Sequence, residues 1–299
     1  MRNEMDRRTF VKVFGAATAG AAGLLAGHTA WCGEAAATPH AQKLGWSVAC
    51  QLYTFRRFAF YEAIGKIASL GVRYVEPCFF LRLDAKRPQL KTNSDLSPDL
   101  RKEMKQRLDD LGLRMIHFYA RLGTDAAAAK KTFEFAKEMG AQTIVAEPPP
   151  EAFDLIERLC GEYQINLAVH NHPRRPKSRY WRPQNVLAVC EGRSRRIGAC
   201  CDTGHWVRSG LDPIECLKAM KGRIITCHLK DVAESGNPKS RDVPLGQGKG
   251  NLSAVLGELH RQGFRGVLTI EYEHDSPRLM DDVRQCIAFV EKTAASLAG

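Results

Sequence analysis

Beyond residue 45, short apolar runs alternate with segments in which apolar side chains return every three or four positions. The first pattern suits strands buried on both faces, and the second suits amphipathic helices. Eight runs stand out: WSVACQLYTF (46–55), VRYVEP (72–77), RMIHFYA (114–120), QTIVAEP (142–148), NLAVHNH (166–172), IGACCDT (197–203), IITCHLKD (224–231) and VLTIEYE (267–273). Each is followed by a helical pattern. Helix starts carry their own signals, since Ser97-Pro98, Thr124-Asp125, Asp212-Pro213 and Asn251 supply capping side chains or an N-terminal proline. Gly71, Gly112, Gly140, Gly222 and Gly263 stand where helices should stop. Strand-then-helix units repeated eight times predict an α/β chain closed as a (β/α)8 TIM barrel. An open doubly wound sheet is the alternative, but no G-x-G-x-x-G follows the first strand and no Walker loop occurs, which argues against nicotinamide and nucleotide chemistry.

A barrel of this kind keeps its active site at the C-terminal ends of the strands. Those ends carry Glu76, His117, Glu147, His170, His172, Asp202, His205, His228, Lys230, Asp231 and Glu271. One such residue is ordinarily a satisfied structural group, whereas many on one rim point to a metal or to acid–base chemistry. Carboxylates and imidazoles without thiolate suit Mn²⁺, Mg²⁺, Co²⁺ or Zn²⁺. Within ACCDTGHW (199–206), Asp202 still belongs to the strand end and His205 lies beyond Gly204, so the stretch reads as a metal ligand followed by a substrate contact. The chain has ten cysteines and no CxxC; Cys50, Cys200, Cys227, Cys216 and Cys286 fall inside strand-like or helical runs and read as small buried hydrophobes.

The series AEP, HNH, CDTGH, HLKD, PLGQG and IEYE, in this order on successive strands, resembles the xylose isomerase-like barrel superfamily of sugar isomerases and epimerases, over Leu44 to Leu297. The resemblance implies one divalent metal held by Glu147, Asp202, His228 and Glu271. It further implies that Glu147 and Glu271 are catalytic and pass protons on and off the carbon next to a sugar carbonyl. Glu76, His117, His170, His172, His205 and Lys230 are then expected around the substrate. Lys230 either stabilises charge near the carbonyl or pairs with a rim carboxylate such as Asp231. PLGQGKG (244–250) becomes a substrate-side loop, and Tyr180-Trp181 either stack on a sugar or cover the rim.

Departures from the pattern shape the expected chemistry. Ketose 3-epimerases carry an arginine six residues after the seventh-strand histidine; Glu234 stands there, so that clamp is missing. HNH is more similar to inosose dehydratases and to exported relatives linked to 3-keto-sugar breakdown, which remove the same proton and then eliminate or add at the next carbon. A lyase, dehydratase or hydratase therefore stands beside the isomerase reading. Endonuclease IV shares the barrel, but its three-zinc site cannot be completed with Glu76-Pro77 on the second strand and SRDVPLG lacking an Asp-x-His. A non-catalytic sugar-binding protein would not need both Glu147 and Glu271.

The N-terminus and the charge bear on location and partners. DRRTFVKVFGAATAGAAGLLAG puts Arg7-Arg8 ahead of a weakly apolar Ala/Gly-rich segment and resembles a twin-arginine export signal. EAAAT (34–38) offers a cleavage site near Ala37, whereas Trp31 before Cys32 does not suit lipoprotein processing. Residues 1–37 are thus expected to be a signal peptide and 38–299 a single barrel domain, periplasmic or otherwise extracytoplasmic, with no stable membrane insertion after cleavage. Export after folding would account for reduced core cysteines and for metal loading in the cytoplasm. The formal charge of +11 is concentrated in 174–196, where eight basic residues face only Glu191. Such a run is ordinarily a solvated face. The expected partner is a small unphosphorylated sugar and not nucleic acid; a homo-oligomer is compatible with the sequence.

Overall fold

The computed structural model describes residues 38–299, so the expected export signal lies outside the described residues. Its strands are β1 (Trp46–Gln51), β2 (Tyr74–Glu76), β3 (Arg114–Met115), β4 (His117–Tyr119), β5 (Thr143–Ala146), β6 (Asn166–His170), β7 (Ile197–Asp202), β8 (Ile224–Leu229), β9 (Asp231–Val232), β10 (Asp242–Val243) and β11 (Gly266–Ile270). The main sheet is parallel throughout, in the order β3-β2-β1-β11-β8-β7-β6-β5-β4. Its two end members are halves of one strand broken at Ile116: β3 pairs with β2, and β4 pairs with β5. The main chain bridges the break, with Ile116 N donating to Val75 O (3.1 Å) and Tyr119 N to Pro77 O (2.9 Å). The sheet therefore has eight barrel positions, as the sequence predicts. β9 and β10 form a short antiparallel ribbon outside it.

Strands such as β5 and β7 are buried at every position, because barrel strands are covered by helices outside and by one another's side chains inside. The first predicted run stops at Gln51, whose side chain accepts from Tyr53 N at 2.7 Å and turns the chain into a 3-10 segment, Leu52–Phe55. Ser97, Asp125 and Asp212 cap their helices through side-chain oxygens as expected. Asn251 also precedes a helix, but in the left-handed region (φ 48°) and without a side-chain cap. Gly140 ends Ala126–Glu138 with φ 83°, a conformation costly to any residue with a Cβ. Trp46, Phe118, Phe133, Phe135 and Phe153 are fully buried between strands and helices. The nine described cysteines are free and buried, as expected of small hydrophobes. Among the described residues, no helix is long and apolar enough to cross a membrane.

One irregularity positions the functional rim. Between β7 and β8 the register runs Ala199↔Ile224 and then Cys200↔Thr226, leaving Ile225 as an extra residue. This bulge advances β8 by one position, so that Asp202 lies beside His228 at the end of the ladder.

Candidate metal centre and its cavity

The side chains of CDTGH have separate tasks. Asp202 Oδ1 accepts from His205 N at 2.7 Å and caps the short helix Thr203–Arg208. Oδ2 remains for the site. Thr203 Oγ1 donates to Lys230 O (2.8 Å) and accepts from Lys230 N (3.0 Å), tying the ends of β7 and β8 together. Gly204 leaves room for the Lys230 stem: a Cβ there would lie 2.5 Å from Lys230 Cγ. The middle residue of HNH is a strap, since Asn171 donates to Asp202 O (3.0 Å) and accepts from Asp202 N (2.8 Å).

His170, Asp202, His228 and Glu271 each offer a ligand atom, all within 4.8 Å of one another. His170 Nε2 and Asp202 Oδ2, 3.5 Å apart, are two of only four buried side-chain polar atoms without a hydrogen-bond partner among the described residues. Lys230 Nζ comes within 3.0 Å of Asp202 Oδ2, near enough for attraction but outside hydrogen-bonding geometry. Unpartnered polar atoms are costly in a protein interior, and their meeting here fits a cation site. His228 is oriented for the same purpose. Its Nε2 lies 2.9 Å from Glu76 Oε1, which favours the proton on that nitrogen, and its Nδ1 lies 3.0 Å from Glu271 Oε2.

Of the expected ligands, Asp202, His228 and Glu271 come together, with His170 as the fourth member of the group. Glu147 belongs to an adjoining group with His170 and His172, at 3.4 and 2.5 Å, and accepts from Tyr119 Oη at 3.0 Å. Glu76 and His117 do not reach the cavity. Fully or almost fully buried, they sit 3.3 Å apart beneath the cluster, where Glu76 holds His228 from below. His205 has a neighbour at each ring nitrogen, Lys230 Nζ at 3.3 Å and Arg208 Nη1 at 3.2 Å, so it is more enclosed than a free substrate contact. Cys200 Sγ lies near His170 and His228, but burial pushes the thiol up to about 12 and keeps it neutral.

Lys230 is completely buried, with Asp202, Glu271 and Glu273 oxygens at 3.0, 3.0 and 3.2 Å. Burial works against its charge, but these carboxylates outweigh it and hold the ammonium well above its ordinary value. The Asp202 carboxyl is held well below the usual range: burial opposes ionisation, and the Lys230 and His170 charges overcome it. Burial and the Lys230 charge push His205 down despite Asp202, so its imidazole is neutral. Burial likewise opposes the Glu147 carboxylate, which His170 and His172 nevertheless keep ionised.

Asp231 does not pair with Lys230. Its carboxylate accepts from Gly246 N, Gly248 N and Gly250 N at 3.0, 2.9 and 2.9 Å, so PLGQGKG wraps an internal anion and its amides are not free for substrate. Tyr180 is buried and donates to Pro148 O, while Trp181 lies between Arg174 and Arg182. Both cover the rim. The basic run is mostly exposed, as a solvated face should be, with Arg193 paired to Asp154 and Glu157.

The cluster opens into a cavity of about 200 Å³ whose lining includes Gln51, Tyr53, Tyr119, His170, His172 and Glu271. A second cavity of about 550 Å³ adjoins it and shares Tyr53, His172 and Glu273. Gln51, Tyr53 and Glu273 were not singled out from sequence. Glu273 carried a signal, since two residues after Glu271 an extended chain returns to the same side.

Among relatives, the chain is 31% identical over 137 residues to the rhizopine catabolism protein MocC of Rhizobium meliloti, a match spanning 41% of each chain. A solved structure from Parabacteroides distasonis ATCC 8503 is 33% identical, with a TM-score of 0.66 over 83% of this chain and 99% of that one. The structure of a D-tagatose 3-epimerase-like protein, 17% identical, superposes with a TM-score of 0.65 over 84% of this chain and 98% of its own, a likeness of fold. The family model of the xylose isomerase-like TIM barrel matches residues 64–293, and the chain belongs to that family.

Proposed function

We propose that the protein is an exported, divalent-metal-dependent sugar isomerase or epimerase that moves a proton at the carbon next to the carbonyl of an unphosphorylated sugar. The observation that carries this reading is the meeting of His170, Asp202, His228 and Glu271, two of them with orphaned buried atoms, at the inner end of a sugar-sized cavity. These four residues would hold the metal, with Glu147 beside them. A bound divalent ion would polarise the substrate carbonyl and stabilise the charge that develops when the neighbouring carbon loses its proton. Glu271, in the cavity lining, would take that proton; Glu147, kept ionised beside His170 and His172, would exchange the second. Lys230, an ammonium in contact with Asp202 and Glu271, keeps Asp202 ionised and Glu271 aimed at the cavity. Export rests on Arg7-Arg8 and the apolar segment after them.

A second reading, elimination or addition of water on a keto-sugar or keto-inositol, is favoured by His172. Its Nδ1 pairs with Glu147 at 2.5 Å, and its ring stacks on His205 at 5.0 Å within the cavity wall, a suitable place to protonate a departing hydroxyl. Incubation with keto-sugars in D₂O tests both readings. Deuterium should enter the α-carbon, with an epimer or isomer as product in the first case and an unsaturated or hydrated product in the second. Glu271→Gln and Glu147→Gln should each slow exchange by about a hundredfold or more. Product without solvent deuterium, and without an isotope effect from α-deuterated substrate, would remove proton abstraction from the mechanism.

A further inference from the structure

The inner cavity, at about 200 Å³, is smaller than the roughly 300–1,000 Å³ usual for small-molecule sites. It suits one sugar ring. The outer cavity, at about 550 Å³, shares Tyr53, His172 and Glu273 with it, so a group attached to that ring and passing these side chains would lie in it.

The charges of the outer wall are unbalanced. Its three acids are already held: Glu273 by Arg208 and Lys230, Asp242 by Arg208, and Asp275 by Arg56 and Arg57. Three of its cations, Arg175, Lys239 and Arg241, take part in no ion pair among the described residues, and the Arg175 guanidinium donates only to Pro238 O at 3.3 Å. Unpaired cations in a concave wall focus a positive potential.

The wall is also built in advance. Lys239 and Arg241 lie at the tip of the β9–β10 ribbon, which is fixed by Ala233 N to Arg241 O (3.0 Å), Gly236 N to Val207 O (2.9 Å) and Arg208 Nε to Ser240 O (3.0 Å). Binding there requires little ordering of the backbone.

We propose that the outer cavity is a second subsite for an anionic group, a carboxylate or a sulfate ester, on a unit linked to the reacting sugar. The substrate class is then an acidic disaccharide or glycoside and not a free neutral monosaccharide. This inference rests on the reading of the inner cavity as the sugar site.

The test is calorimetric binding of cellobiouronic acid, cellobiose 6′-sulfate and neutral cellobiose to the metal-loaded protein, at low and high salt. At least one acidic probe should bind about tenfold or more tightly than cellobiose at low salt, the equivalent of about 1.4 kcal/mol, and should lose that advantage at high salt. Which acid binds better separates carboxylate from sulfate. The double variant Lys239→Glu/Arg241→Glu should abolish the preference while leaving cellobiose binding, melting temperature and deuterium exchange into a monosaccharide unchanged, since both side chains are exposed and outside ion pairs. Equal affinity for acidic and neutral probes, no binding of any probe, or equal loss of all three in the variant would overturn the subsite. A salt-sensitive acidic preference with no exchange into any keto-sugar would instead overturn the inner-site reading and leave the anion subsite standing.

Discussion

Lys230→Met separates the metal from the rest of the rim. Methionine keeps most of the side-chain volume and still threads past Gly204, so the change removes charge and leaves little cavity. It leaves Asp202, Glu271 and Glu273 without the ammonium that each contacts at 3.0–3.2 Å. Removing one partner of a buried ion pair costs about 3–5 kcal/mol. At about 2–4 °C per kcal/mol for a domain of this size, the metal-free variant should melt roughly 6–20 °C below the metal-free wild type. A cation bound at a thousand times its Kd returns about 4.1 kcal/mol, so excess Mn²⁺ should recover most of the loss. Depressed carboxylate pKa values stabilise the fold above the unfolded value, and that contribution is lost as pH falls through the folded one. The gap between wild type and variant should therefore be full near neutrality and narrow towards and below about pH 4. Scanning calorimetry with chelator and with Mn²⁺ measures both effects. A loss below about 2 °C in chelator, or the same loss with and without metal, would refute the reasoning.

Glu76→Gln should weaken metal binding about 10- to 100-fold, because the amide no longer fixes the proton on His228 Nε2; an affinity within twofold of wild type, measured by competition with a chromogenic chelator, would mean that Glu76 only fills space. In the metal-free protein His170 is raised to about 9, since Asp202 and Glu147 overcome the burial that would lower it. His228 is likewise held well above its ordinary value, so metal binding near pH 7 should expel protons from both imidazoles, seen by calorimetry in buffers of different ionisation enthalpy, and undiminished release from His170→Gln would exclude His170 as a source. Replacing Arg7 and Arg8 by lysine keeps the charge and removes only the motif, so the precursor should stay in the cytoplasm; undiminished export in cell fractionation would end the twin-arginine reading.

The alternation of apolar runs and amphipathic segments was enough to determine the barrel, because a parallel strand buried on both faces and the helix that covers it each leave a pattern in their own residues. For the same reason the strand ends were legible, and with them Asp202, His228, Glu271 and the paired His170 and Glu147. The depth of each end in the barrel was not. It depends on the register between neighbouring strands, which no single strand encodes: the extra Ile225 sets Asp202 beside His228, and the break at Ile116 divides the third strand. Thus Glu76 and His117, also at strand ends, lie beneath the site, and Asp231 turns away to hold a glycine loop. The outer cavity was still less legible, since Arg175, Lys239 and Glu273 come from three distant loops and meet only because closure of the barrel brings those loops to one rim. Local periodicity settles which residues end a strand, and the packing of all eight strand positions settles what each of those residues faces.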